Sequence, residues 1–379
     1  MVPWQLYSQY GDKQVVEENL EAMMNWLNGM AFYPLSDMYP YLSERTGGLG
    51  DWLAMDAGTP NDLVNNAIYI HMMEVTAVMA EAVGRSDYAR ILRERHDRAK
   101  ADWNRAYVNP ADGRTRALDG RIVHTQTSYA TPLNFNVFDE GNQPLAEAHL
   151  ATLAATPNLS GPDPQKHAAA DDFKPCTITT GFSGTPNILP ALSRAGRWKE
   201  AYDMFTCTAL PSWLYPVTLG ATSVWERWNG YDVAFSEPDQ NMMNSFNHFA
   251  LGAVGQWMYE YQLGISPGAD AGYKHFVLQP VAGGGFLSLK GSFDSAYGRI
   301  VSQWTADADG HMISYLAEVP ANTLATLYLP VGEEVEHFGE GDWMVYEGTE
   351  LHNGVLTAVY SLLPGTHQFT IEKDQVLAR

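Results

Sequence analysis

The stretch TPNDLVNNAIYIHMMEVTAVMAEAVG, residues 59–84, decides how most of this chain folds. Thr59 is placed to cap a helix, and Pro60 suits a first turn, where no backbone N–H is needed. Asp62 sits where a carboxylate meets unpaired N–H groups. Leu63, Ala67, Ile70, Met73 and Ala77 follow at spacings of three and four, and Gly84 ends the run. Ser86 opens a second helix, with Tyr88, Leu92, Ala99, Trp103 and Tyr107 along one stripe. So short a connection predicts antiparallel neighbours, a helical hairpin.

Further helices are expected near 12–30, 125–138, 142–156, 185–195, 197–208 and 243–264. In the last of these, Phe246, Phe249, Ala253, Trp257 and Tyr261 form the apolar face, while Gly252 and Gly255 allow close approach of another backbone. Helical pairs without a fixed sequence period predict a toroid of hairpins rather than a solenoid. From about residue 272 the period changes. Residues 299–306 lead through Asp307–Gly310 into 311–318, which reads as a β-hairpin. Strands are expected at 323–329, 343–347, 355–361 and 366–371, together a small antiparallel β-sandwich. The boundary falls in 266–272, giving a helical domain 1–265 and a β-domain 266–379.

Composition narrows the function. The 379 residues are 45% hydrophobic and 12% aromatic, with 11 Trp and 20 Tyr, a globular composition that leans towards stacking on sugar rings. A net charge of −21 repels nucleic acid, anionic membranes and polyanionic sugars, and suits a neutral substrate. The longest apolar stretch, Ala67–Val83, is interrupted by His71 and Glu74 and is too short to span a bilayer. The first residues carry no basic stretch followed by an apolar run, so no targeting segment is expected and the chain reads as soluble and cytoplasmic. Cys176 and Cys207 have no CxxC spacing and are expected as buried free thiols in a reducing compartment. No HExxH, Walker or GxSxG motif is present; neither a metal nor a cofactor is expected.

Three aromatic-polar clusters lie at predicted helix ends or in loops: Gly50-Asp51-Trp52, the run TSVWERW at 222–228, and NSFNH at 244–248. A glycosidase needs paired carboxyl groups and an aromatic platform. Glu226, flanked by Trp225 and Trp228, fits that need, and fits equally a structural ion pair with Arg227 beneath a Trp-rich core. Asp51 after a glycine reads as a turn cap, and His248 as a structural histidine in the first turn of a helix.

The order of these clusters resembles glycoside hydrolase family 78, the bacterial α-L-rhamnosidases. The resemblance runs from VPWQLYSQYG (2–11) through GDWL (50–53), TQTSYA (125–130), TGFSGTP (180–186), PSWLY (211–215) and GATSVWERW (220–228) to MNSFNH (243–248) and GRI (298–300). It implies an (α/α)6 barrel with a C-terminal β-domain, cleaving terminal α-L-rhamnosides with inversion. By the same resemblance Glu226 takes the place of the general base, and Asp51, Trp52 and His248 line the rhamnose pocket, with Trp213, Trp225 and Trp228 as its walls. The family's general acid lies in an Asp-x-x-x-Arg-x-Glu-x-x-Gly-Trp motif that has no match here, and Glu44-Arg45 lacks its surroundings. About eight or nine helices are expected where the complete barrel has twelve. The implication is that the chain begins inside the barrel, and that another segment or chain supplies the missing helices. The alternative is a non-catalytic rhamnose-binding or scaffold fragment; a different (α/α)6 glycosidase stands third.

Overall fold

The computed structural model describes residues 1–45, 48–56, 58–156, 173–231, 243–268, 270–333, 336–339, 343–372 and 375–378. In chain order the helices are α1 (Val2–Tyr10), α2 (Lys13–Ala31), α3 (Asn61–Ala82), α4 (Ser86–Tyr107), α5 (Gln126–Asn134), α6 (Gln143–Ala155), α7 (Thr185–Arg194), α8 (Trp198–Phe205), α9 (Leu214–Thr218) and α10 (Val254–Trp257). A two-stranded ribbon, β1 (Pro34–Ser36) and β2 (Tyr39–Ser43), separates α2 from α3. The chain forms two compact units, Leu20–Val254 and Met1–Asn19 with Gly255–Arg379. No helix among the described residues is long and apolar enough to cross a membrane.

The first unit is built from helical hairpins: α3 with α4, α5 with α6, and α7 with α8. The leading helices α3, α5 and α7 pack on one another in series and are buried over most of their surface. In α5 every residue from Gln126 to Leu133 is buried. The trailing helices bury only a stripe; in α4 that stripe holds Ala89, Leu92, Ala99, Trp103 and Tyr107, while Arg90, Arg93 and Glu94 stay in solvent. Each fully buried large side chain on such a stripe contributes about 1.5–3 kcal/mol.

Several local expectations are corrected. Thr59 does not cap α3: Pro60 occupies that position without a side-chain bond, and the Thr59 hydroxyl instead meets that of Thr125 at 2.6 Å. Thr125 in turn caps α5, accepting from the backbone N–H of Ser128 in a capping box. The helix expected over 243–264 is broken. Residues 250–253 form a 3-10 turn, α10 lasts one turn, and Met258–Gln262 form a π turn. Before it, the N–H of His248 donates to Val224 O and that of Glu226 to Ser245 O, so 243–248 spends its backbone on a neighbouring segment. Phe249, expected on the buried face, is 86% exposed. Cys176 and Cys207, expected as free thiols, are joined in a disulfide with Cα atoms 5.8 Å apart; the chain after 173 returns to α6, where Cys176 N–H donates to Ala154 O, and meets the end of α8.

The second unit contains α1 and two sheets. The strands are β3 (Ile265–Pro267), β4 (His275–Leu278), β5 (Ser288–Ser295), β6 (Gly298–Ala306), β7 (Met312–Val319), β8 (Leu324–Pro330), β9 (Glu336–Gly339), β10 (Met344–His352), β11 (Val355–Leu362), β12 (Gly365–Ile371) and β13 (Gln375–Ala378). One sheet has the order β10-β11-β8-β4-β3 and the other β5-β6-β7-β12-β13-β9. Their inner faces share one core, Phe276, Leu327 and Tyr360 from the first against Trp304, Tyr315 and Phe369 from the second. The β6–β7 hairpin stands as expected, with Gly310 at φ 89° in its turn. The sheets are rich in antiparallel pairs but not purely so: β4 runs parallel to β8, and β13 to β9.

Candidate active site

Every residue singled out around the candidate site lies in the helical unit, and the loop 177–184 connects them. It enters α7 through Thr180-Gly181-Phe182-Ser183-Gly184. Gln126, fully buried at the start of α5, accepts from Thr179 N–H at 2.8 Å and donates to Thr177 O and Leu153 O at 3.0 and 3.3 Å. That bracket fixes the loop's first half. Across from it, Met55 N–H donates to Thr179 O at 2.7 Å, and the Thr179 hydroxyl donates to buried Asp56 at 2.9 Å. The two loops therefore run side by side.

Asp51 is buried where they meet. Its Oδ1 accepts from the N–H groups of Ser183 at 3.0 Å and Gly184 at 2.9 Å; its Oδ2 accepts from Gly181 N–H at 2.9 Å and from the Thr127 hydroxyl. Burial pushes its carboxyl above the ordinary carboxylate value, and these four donors oppose the shift. Gly181 must be glycine: a Cβ there would come within 2.2 Å of Trp52 O. Trp52 itself is 37% exposed, its ring free to offer a face while its carbonyl accepts from Phe182 N–H at 2.9 Å.

The segment 222–228 is anchored to the same loop, since Trp228 Nε1–H donates to Thr180 O at 2.8 Å. Glu226 is only 6% exposed. Among the described residues no hydrogen bond or ion pair reaches its carboxylate. Among the described residues, the buried side-chain atoms sealed from solvent without a partner are Asn244 Oδ1, Gln262 Nε2, Gln279 Nε2 and His367 Nδ1. The ion pair with Arg227 does not form: Arg227 Nε–H donates instead to Met243 O at 2.7 Å, and partial burial lowers the guanidinium pKa despite the nearby Glu226 charge.

The aromatic residues divide by role. Trp225 and Trp228 are buried. Trp225 stands edge-on to Phe246 at 5.0 Å and Trp228 edge-on to Trp213 at 5.6 Å; Trp213 Nε1–H is spent on Leu251 O at 2.8 Å. His248 is half-buried, in an irregular stretch and not in a helical first turn as expected. Its ring stacks on Phe182 at 5.2 Å and on Phe249 at 5.1 Å, and its Nδ1 accepts from Ala250 N–H at 3.2 Å, leaving Nε2 for a ligand or water. Trp52, Glu226 and His248 are thus tied to one loop. Sequence reasoning missed Gln126, Thr127, Thr180 and Phe182, although the runs that hold them were visible as TQTSYA and TGFSGTP.

Among the described residues one group, Asp307, Asp309 and His311, brings three metal-type donor atoms within 4.8 Å of one another, in the β6–β7 turn of the other unit. Asp307 Oδ1 there accepts from the N–H groups of Asp309 and His311, which is how an Asp closes an ordinary turn.

Comparison with known proteins identifies the family. Residues 1–262 match the bacterial alpha-L-rhamnosidase 6 hairpin glycosidase domain, and residues 264–342 the bacterial alpha-L-rhamnosidase C-terminal domain. An alpha-L-rhamnosidase of Streptomyces avermitilis is 31% identical over 98% of this chain and 32% of its own length. A crystal structure of Streptomyces avermitilis alpha-L-rhamnosidase complexed with L-rhamnose superimposes with a TM-score of 0.78 at 30% identity, over 98% of this chain and 32% of that one. The native alfa-L-rhamnosidase from Aspergillus terreus gives 0.76 at 26% identity, over 98% and 38%. The chain spans about a third of the length of the curated relatives it matches. Covered by two of the family's domain models from its first residue into the β-unit, this chain belongs to the bacterial α-L-rhamnosidases.

Proposed function

We propose that the chain is the base-bearing part of an enzyme that hydrolyses terminal α-L-rhamnosides with inversion of configuration. The observation that carries the proposal is Glu226: a carboxylate 6% exposed, without a described hydrogen-bond partner, and flanked by Trp225 and Trp228. In an inverting hydrolysis the base takes a proton from water as the water oxygen attacks the anomeric carbon. An acid on the opposite side of the ring protonates the departing glycosidic oxygen, with roughly 6.5–9.5 Å between the two carboxyl groups. Glu226 is suited to the first role. Its aromatic neighbours exclude bulk water around it. Trp52 and His248 are suited to meet the sugar, whose C5 methyl is apolar and calls for an aromatic wall.

The acid has no equivalent in this reading. Asp51 and Asp56 are buried and occupied by donors, and Glu44 and Asp37 are exposed near the β1–β2 ribbon. We place the acid on a segment outside this chain, together with the helices that complete a closed (α/α)6 toroid. Two facts support this: the share of the relatives' length that is covered, and the solvent exposure of Trp26, Phe32, Met38 and Leu49 in the helical unit. The catalytic part is then 1–265 and the β-domain 266–379, with no metal, cofactor, nucleic acid or membrane involved.

Hydrolysis of an aryl α-L-rhamnoside by this chain alone, and by the protein translated with its upstream coding sequence, tests the proposal. The chain alone is expected to turn over barely, and the longer protein strongly, releasing the β-anomer first by NMR. Release of the α-anomer would overturn inversion. L-rhamnose binding without turnover in the longer protein would establish the sugar-binding scaffold instead.

A further inference from the structure

We infer that Asp51 does not touch the sugar and acts as a positioning residue, holding the loop 180–184 so that His248 and the Glu226 segment stand in register. The inference rests on the reading of Glu226 as the base, and departs from the pocket-lining role that family resemblance implies for Asp51.

An ionised carboxylate offers about four acceptor sites. At Asp51 all four are filled from within the protein, two on each oxygen: Ser183 and Gly184 N–H on Oδ1, Gly181 N–H and the Thr127 hydroxyl on Oδ2. A sugar hydroxyl could bind only by evicting one of them, and a buried N–H left unpaired costs more than the new bond returns. The donors are also of one kind. Three are consecutive or near-consecutive backbone N–H groups leading into α7, an arrangement that favours negative charge.

The loop these bonds shape is the one that meets the other candidate residues. Thr180 O receives Trp228 Nε1–H, two residues beyond Glu226, at 2.8 Å. The Phe182 ring stacks on His248 with its plane 26° away. Neighbouring bonds, from Ser183 Oγ to Gly50 O at 2.6 Å and Phe182 N–H to Trp52 O at 2.9 Å, join the two loops but leave the N–H groups of 181, 183 and 184 to the carboxylate alone. Thr127, on α5, therefore tunes the site from a distance: it touches Asp51, and Asp51 touches the loop.

The test uses this chain with Asp51→Asn, Thr127→Val and Thr127→Ser, read by amide hydrogen exchange at 181–184, by the His248 imidazole proton shift in NMR, and by L-rhamnose titration of tryptophan fluorescence. Asp51→Asn is expected to speed exchange at those amides, to shift His248 away from its ring-stacked position, and to weaken L-rhamnose by roughly tenfold, the order expected for losing hydrogen bonds to a charged group. Thr127→Val, which keeps the carboxylate, is expected to produce the same changes in smaller degree, and Thr127→Ser to restore them. Loss of L-rhamnose binding in Asp51→Asn with exchange and the His248 shift unmoved would overturn the inference, because the carboxylate would then be meeting the sugar. If Asp51→Asn does not fold, the Thr127 pair decides by the same readouts. If the unaltered chain does not bind L-rhamnose, exchange and the His248 shift still decide what Asp51 does, and turnover by the longer protein decides the functional reading.

Discussion

Glu226, the base in the proposed reading, is defined by what is left out around it. Burial among aromatic rings removes most of its water, and among the described residues no hydrogen bond reaches its carboxylate. In the protein that also carries the acid, Glu226→Gln is expected to lower kcat by about 10²–10⁴ with KM within a few-fold, measured on an aryl rhamnoside. A drop confined to KM would make Glu226 a binding group. His124 follows the opposite logic. Burial, then the neighbouring His149 and Arg114, lower its pKa to about 4, and the neutral Nδ1 meets the Tyr129 hydroxyl at 2.8 Å. Between about pH 4 and 6.5 the unfolded chain therefore binds a proton that the folded chain refuses, so stability falls as pH drops through that window. Part of the ring sees solvent, which limits the loss to about 1 kcal/mol. Urea midpoints at pH 7 and pH 5 should differ less in His124→Gln than in the unaltered chain; an equal difference would assign the slope to other groups.

Among the elements, the α3–α4 hairpin was readable because local and long-range signals agree there: stripes at helical spacing, Gly84 at φ 76°, and a connection too short to lead elsewhere. The stretch 243–264 has the same apolar spacing and still fails as one helix. Asn244 donates to Gly230 O, the Ser245 hydroxyl accepts from Asn247 N–H, and the backbone of 245–248 pairs with 224–226. Polar side chains that capture backbone groups compete with a helix, and periodicity does not record them. The loop 177–184 was legible as a motif but not as the centre of the site, because its importance lies in contacts more than a hundred residues away in sequence. Its packing predicts a sharp outcome: Gly181→Ala must move the backbone of Trp52, Asp51 or Ala54, and should lower stability by about 1–3 kcal/mol in urea unfolding. Gly255→Ala, which meets nothing within 4 Å, is the matched control and should be neutral or mildly stabilising.

At the scale of the whole molecule, the change from helical spacing to alternation was readable near residue 272, and so were six of the β-unit's strands within a few residues of their ends. The parallel pairs β4–β8 and β13–β9 were not, since alternation along a strand says nothing about its neighbour's direction. The helical unit leaves Trp26, Phe32, Met38 and Leu49 in solvent, with Phe32 77% exposed. The chain alone is accordingly expected to bind a hydrophobic dye and to self-associate with concentration in light scattering, and the upstream-extended protein to do neither. Finally, the Cys176–Cys207 link gives the material a history. It closes a loop whose cross-linking restricts the unfolded chain by about 3 kcal/mol, and the loop holds the whole of 177–184. Preparations from a reducing host and from an oxidising one would then share a sequence but differ by two hydrogens in mass and in how firmly the loop 177–184 is tethered. Intact-mass measurement before any assay becomes the step that makes two laboratories' activities comparable.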